Sequence, residues 1–307
     1  MDDPQMSWAV IFWSSGLALL AAFNIWLWAR AAHRLGELAP TLPPELRLSR
    51  RLQCWLAGGY VLGCAFRSVV PVFDVPRAAL VDSVLASVLV GRTIATVAEL
   101  CFAAQWALML RETSAYTGSA TGRWTARVIL PLIAVAELCS WYSVLTTSNL
   151  GHVFEESLWA ITAALMVLSL LVAWKRWQRP HLPTVVLLSA AGLAYFAYML
   201  LVDVPLYASR WMADELAGRT YLTLSEGLRD IAGPHVVSYV WELWRSELDW
   251  MVMYFGFGVW ISIALIHSPM PLREPASTLR FGWLKPVPRM RARALAWMAP
   301  RERDRQR

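Results

Sequence analysis

Between Asp82 and Leu110 the chain reads DSVLASVLVGRTIATVAELCFAAQWALML. As an α-helix rising ~1.5 Å per residue, a run of this length crosses the ~30 Å hydrocarbon core of a bilayer. Yet Arg92, Glu99 and Gln105 stand inside it. Arg92, Thr96 and Glu99 fall at i, i+4 and i+7 and therefore share one helical face. Charges at that depth are costly, and they face a bundle interior or a wet cavity. Whatever this chain folds into must bury those groups among other helices.

The remainder of the chain is of the same kind. Hydrophobic residues make up 57% of 307, too apolar for an ordinary soluble domain and suited to a polytopic membrane protein. Many of the 18 tryptophans lie near the ends of apolar stretches, as interfacial anchors do. Cys54, Cys64, Cys101 and Cys139 all sit in apolar stretches, which argues for small buried hydrophobes and against a disulfide framework. The acidic start, MDDPQ, has no basic n-region, so the first apolar stretch reads as a retained helix and not a cleaved leader.

Seven helices are expected, over about 7–29, 52–73, 83–110, 128–147, 157–174, 182–204 and 249–267. They form one transmembrane domain, 1–270, followed by a basic tail, 271–307, whose end is expected to be disordered. The long insertion 205–248 ends in HVVSYVWELWRSEL, too charged to span but aromatic and amphipathic, which reads as an interfacial helix. Gly59-x-x-x-Gly63 and the stripe Ser87, Gly91, Ala95 are small-residue spacings that let helix backbones approach closely.

Lysine and arginine are distributed unevenly. The segments after helices 1, 3, 5 and 7 hold 5, 3, 3 and 10 of them, against 5 in the alternate loops. By the positive-inside rule the N-terminus is outside and the C-terminus inside. The net charge of +6 then sits mainly on the inner face, where it suits anionic lipid as a partner better than nucleic acid. The topology and charge bias suit a bacterial cytoplasmic membrane.

That topology sorts the buried charges by depth. Glu99 and Glu137 lie ~15–18 Å from the inner side, near the midplane. They occur in a repeated pentapeptide, Val97–Cys101 and Val135–Cys139, whose two copies cross in opposite directions, as in the inverted repeats of transporters. Arg67, Arg92 and Asp203 form a shallower outer tier: Arg67 ~9 Å and Arg92 ~12 Å below the boundary, Asp203 close to it. Because an arginine stays charged, each needs a carboxylate, carbonyls, water or an anionic ligand. Pairing with Asp74, Asp82 or Asp203 is one answer, and an anionic or zwitterionic head group is the other. Arg92 and Glu99, ~10 Å apart along one helix, read as too distant for a direct bond; Arg92 is expected to turn toward Asp203 and the helix 2 end near Arg67, and Glu99 toward Glu137.

The chain has no Gly-x-Ser-x-Gly, His-Glu-x-x-His, P-loop or Cys-x-x-Cys motif, so no catalytic residue is assigned. None of the five histidines falls in an expected membrane core, against a histidine-rich metal site. His152 and His235, with Glu155, Glu156 or Glu242, offer zinc ligands but no short spacing, so no metal and no cofactor are assigned. Seven helices with an outside N-terminus resemble rhodopsins and G-protein-coupled receptors in topology alone. Lys175 and Lys285 lie outside the membrane and cannot hold a retinal, Arg111-Glu112 is not Asp-Arg-Tyr, and helix 7 lacks Asn-Pro-x-x-Tyr.

The expected function is binding or transport of a small anionic or amphipathic ligand, its head group on Arg67, Arg92 and Asp203, with Glu99 and Glu137 carrying protons. A membrane-embedded enzyme on a lipid-like substrate, with the same acids as general acid and base, and a structural subunit of a membrane complex are the alternatives. The orientation has a direct test. Cysteines at Ser119 and Ser225 should react differently with an impermeant thiol reagent added outside, Ser225 labelled and Ser119 protected; equal or reversed labelling excludes the seven-helix topology.

Overall fold

The computed structural model describes residues 7–177, 182–233 and 235–267, all within the unit Met1–Met270. The expected basic tail, 271–307, lies outside the described residues. Long helices dominate: α1 (Trp8–Leu38), α2 (Pro44–Val69), α3 (Val88–Thr117), α4 (Ala120–Thr146), α5 (Leu150–Val172) and α6 (Leu182–Tyr198). A π-helical segment, Met199–Asp203, carries α6 into α7 (Val204–Leu216). The last span is a composite of α9 (Trp241–Trp244), α10 (Leu248–Val252), a second π segment at Met253–Gly258, and α11 (Val259–Ile266), all following the short α8 (Leu224–Asp230).

Six of these rods are long and apolar enough to cross a membrane: Trp8–Thr41, Val88–Thr117, Ala120–Thr146, Leu150–Val172, Leu182–Leu216 and Trp241–Ile266. The protein is therefore of the all-α, multi-pass membrane class. The second rod, α2, packs against α1, α3 and α11, but Arg47, Arg50, Arg51 and Arg67 lower its hydropathy and keep it out of that set.

The helices run beyond the apolar stretches because capping, not hydropathy, ends them. Gly118 takes a left-handed φ of +67° after α3, and the Ser119 hydroxyl accepts the Gly122 N–H to start α4. The expected loop 111–127 thus shrinks to a two-residue turn. Ser119 is buried by that role, so the exposed Arg123 one turn on is the better labelling position for that face. Thr147, at φ +61°, turns the chain into α5 at Leu150. His152, Glu155 and Glu156 therefore lie in the first two turns of a helix, not in the loop 148–156 expected for them.

The insertion 205–248 also differs from expectation. It opens as a continuation of the α6 rod, and its aromatic end is not one helix but a short strand followed by the helical start of the last rod. Val236–Val237 (β3) pairs in parallel with Ala78–Ala79 (β2), which pairs antiparallel with Val72–Phe73 (β1). Two adjacent β-branched residues favour the extended chain, and the Tyr239 hydroxyl ties it to the Leu80 carbonyl at 2.8 Å. Trp244 is then drawn into the core, fully buried between Trp13 and Phe73, its indole N–H donating to the Ser238 carbonyl at 2.9 Å. This three-stranded cap closes one end of the bundle.

Buried amides and hydroxyls join the rods within the apolar core, where an unpaired polar group is expensive. Gln53 on α2 and Gln105 on α3 each donate to the other's backbone carbonyl, at 3.0 and 3.2 Å, and Gln105 also exchanges bonds with Ser262 on α11. Asn24 on α1 donates to the Phe255 carbonyl at 2.7 Å and accepts the Trp260 indole at 2.9 Å. Arg50 reaches Glu112 at 3.0 Å, and Ser49 donates to the same carboxylate. The four cysteines are free thiols.

Gly59 and Gly63 lie at the α2–α3 contact. A Cβ on Gly59 would meet Cys101 Sγ at 2.7 Å, and one on Gly63 would meet Ala98 Cβ at 2.7 Å. The second stripe is different: Ser87 is the N-cap of α3, and Gly91 faces Val72 of the cap at an ordinary 3.5 Å. Gly63→Ala should accordingly cost ~1–3 kcal/mol by overpacking. Gly16→Ala, with nothing within 4 Å of its new carbon, should gain ~0.5–1 kcal/mol of helix stability. Thermal melting in detergent reads both; equal shifts would place Gly63 away from a tight contact.

Candidate functional site

Below the cap the bundle forms a partly open cavity of about 730 Å³. Its walls come from α2, α3, α5, the α6–α7 rod and the last span. α6 leans mainly on α5, whereas α11 leans on α2 and α1, and the cavity fills the space between them. Both π segments wall it, through Met199 and Asp203 on one side and Met253, Tyr254 and Phe257 on the other. A π turn shifts the helical face by one residue, and such turns recur at functional sites.

At the capped end Arg92 is the centre. Its Nη2 lies 2.7 Å from Glu137 Oε2 on α4, 3.1 Å from Glu155 Oε1 on α5, and 3.6 Å from Glu99 Oε2 on its own helix. All four side chains are buried. Two of the acids are held by further contacts. Thr96 Oγ1 donates to Glu137 Oε2 at 2.6 Å and accepts the Trp141 indole N–H at 3.0 Å. His152 Nδ1 faces Glu155 Oε2 at 2.7 Å, its ring packed on Tyr207 with centroids 4.9 Å apart.

Arg92, expected in the outer tier, thus joins Glu99 and Glu137 in one cluster, while Arg67 and Asp203 stay outside it. Depth counted along Cα positions separates them, but a guanidinium reaches well past its own backbone. Arg92 contacts Glu99 directly, and its strongest partners are Glu137 and Glu155, not Asp203. Glu155 and His152 were assigned to a loop, and only their i, i+3 spacing after a capping turn marks them as helical.

The carboxylate oxygens of Glu99, Glu137 and Glu155 lie within 4.8 Å of one another, a spacing fit for a metal ion. The Arg92 guanidinium already occupies their common centre, so a cation would have to displace it; the geometry is that of an ion-pair network. His152 and His235 are engaged separately, the latter 3.8 Å from Asp82.

Arg67 on α2 is more loosely held. Its nearest carboxylate is Asp74 at 3.9 Å, its Nη2 reaches the Val72 carbonyl at 3.4 Å, and it lies over Trp250 at 5.5 Å. Trp250 donates to Glu247, which pairs with Arg210 at 2.9 Å. Arg210 lies over Tyr207, one turn beyond Asp203. Arg67, Arg92, Glu99 and Asp203 all line the cavity, with Glu155 and Glu156. Away from this end the lining is apolar: Met166, Leu170, Leu187, Ala191, Ile261 and Ala264.

No family model, curated protein or solved structure matches this chain; the chemistry of the cavity itself carries the functional argument.

Arg92 holds α3, α4 and α5 together, so Arg92→Ala should destabilise the fold by ~3–5 kcal/mol, because it strands buried carboxylates. Glu99→Gln, which touches only the longest of the three contacts, should cost far less. Melting temperatures in detergent rank the two; an Arg92→Ala protein as stable as wild type would remove the structural role of the cluster.

Proposed function

We propose that this protein holds a small amphipathic ligand in the cavity, as a membrane binding or transport protein. The observation that supports it is the division of one cavity into a charged end and an apolar arm. A small ion leaves the arm unfilled, and a hydrocarbon leaves the charged end unpaired. Arg92 is not a simple anion receptor, because three carboxylates already surround it. Arg67 and Asp203 are the better candidates for touching a head group.

In this reading α2 is the seventh span, its arginines buried against α1, α3 and α11. The N-terminus is outside and the C-terminus inside a bacterial cytoplasmic membrane, with anionic lipid against the basic inner face. Glu99 and Glu137 share a proton, since ionising every carboxyl around Arg92 would leave uncompensated charge in a low dielectric. A second reading, an enzyme acting on a lipid-like substrate, draws on the His152–Glu155 contact, an acid–base pair beside the cavity.

The test is occupancy. Protein purified in mild detergent should retain a lipid-like molecule in native mass spectrometry. Ala191→Phe, which fills the apolar arm, should lower retention about tenfold or more, a loss of ~1.4 kcal/mol per decade, with the melting temperature of the empty protein unchanged. Equal retention by the variant, or a wild-type protein that takes up no amphiphile on addition, would overturn the reading.

A further inference from the structure

Two buried groups in this cavity lack what the rest of the molecule provides. Each of the other buried carboxylates among the described residues has an arginine nitrogen at 3.9 Å or closer: Asp74, Glu99, Glu112, Glu137, Glu155 and Glu247. Asp203 has none, is only 5% exposed, and its Oδ1 accepts no hydrogen bond. Glu156, half-buried on α5, has no ion pair either and lies within electrostatic range of Asp203. The second group is Arg67, also 5% exposed, whose Nε, like that of Arg92, has no acceptor; the carboxylate distance sets it apart. Arg50 and Arg92 have carboxylates at 3.0 and 2.7 Å, but among the described residues the nearest to Arg67 is 3.9 Å away.

The two groups are of opposite sign and belong to the same end of the cavity. Trp250 lies under Arg67 and bonds Glu247, Glu247 holds Arg210, and Arg210 covers Tyr207, which follows Asp203 by one turn. A buried carboxylate without a partner is expensive, and so is a buried guanidinium. An anion alone would satisfy Arg67 and add to the negative charge around Asp203. A cation alone would do the reverse. A ligand carrying both charges satisfies each and leaves the net charge of the cavity unchanged.

We propose that the charged end is a zwitterion subsite. Arg67 takes the anionic part, a phosphate or carboxylate, and Asp203 with Glu156 takes an ammonium, with the tyrosine rings of the α6–α7 rod beside it. The single chain of the ligand lies in the apolar arm. This inference rests on the proposed amphiphile site and adds the head-group class.

The experiment uses the full chain in detergent micelles and three probes: lysophosphatidylethanolamine, lysophosphatidylglycerol of the same chain length, and free phosphoethanolamine. Binding is followed by native mass spectrometry and by tryptophan fluorescence. Wild type should prefer the ethanolamine lipid by about tenfold or more, the scale of a charge-assisted hydrogen bond. Asp203→Asn should erase that preference by weakening the ethanolamine lipid alone, and Asp203→Glu should restore it. Arg67→Gln should weaken both lysolipids, and free phosphoethanolamine should compete poorly because it lacks the chain. Equal wild-type affinity for the two lipids, a uniform loss in Asp203→Asn, or full competition by free phosphoethanolamine would each overturn the subsite. Binding of both lipids without preference defeats this inference alone; failure of both lipids to bind defeats the amphiphile reading with it.

Discussion

One guanidinium organises the capped end of this bundle. Arg92 cannot shed its charge, and in a low-dielectric interior it must be surrounded by acceptors. Three acids from three consecutive helices supply them. That requirement fixes how α3, α4 and α5 face one another. It also sets the position of His152 through Glu155, and of Trp141 through Thr96 and Glu137. The opposite end repeats the solution at smaller scale, with Arg50 and Glu112 joining α2 to α3.

Against this closely paired centre, the loosely paired groups stand out. Arg67, Asp203 and Glu156 share a cavity with Arg92 yet make weaker contacts or none. A stability argument explains Arg92 and its acids without invoking any ligand. It does not account for Asp203, which is buried with no arginine in ion-pair contact and one oxygen unbonded, an arrangement that lowers stability. The proposal of an amphiphile site draws on that contrast, together with an apolar arm too large to be a packing defect.

Much of the architecture was legible in the sequence, and the reasons for the misses are physical. Apolar runs marked the spans, because a helix in hydrocarbon needs about twenty apolar residues. Their ends were misjudged because capping residues such as Ser119 and the left-handed Gly118 and Thr147 set them, and hydropathy does not register a hydroxyl or a φ angle. α2 was recognisable from its Gly59-x-x-x-Gly63 contact, although its arginines make it the least apolar rod. Arg67, Arg92, Glu99, Glu137 and Asp203 stood out as charges in apolar surroundings, and the structure brings four of them to the cavity wall and Glu137 onto Arg92. Glu155 and His152 stood out only as zinc ligands in a loop, because polar residues there look solvated until the turn before them is known. Val236 and Val237 could not be read as a strand, since a two-residue strand has no periodicity to detect.

That short strand bears on the order in which the protein is made. β3 pairs with β2 across Ala78↔Val236, so the partner of a residue made early arrives only when most of the chain has been synthesised. Sheet pairing over such a separation forms late, after local helices and hairpins. Until then the cap is incomplete, and the charged end of the bundle stays open to water on the side where Trp244 will later be buried. The buried arginines and acids can therefore pair while still hydrated, before the dry interior makes an unpaired charge costly. The cap is in this sense a late element of the assembly, closing over charges that lie on three consecutive helices made before it.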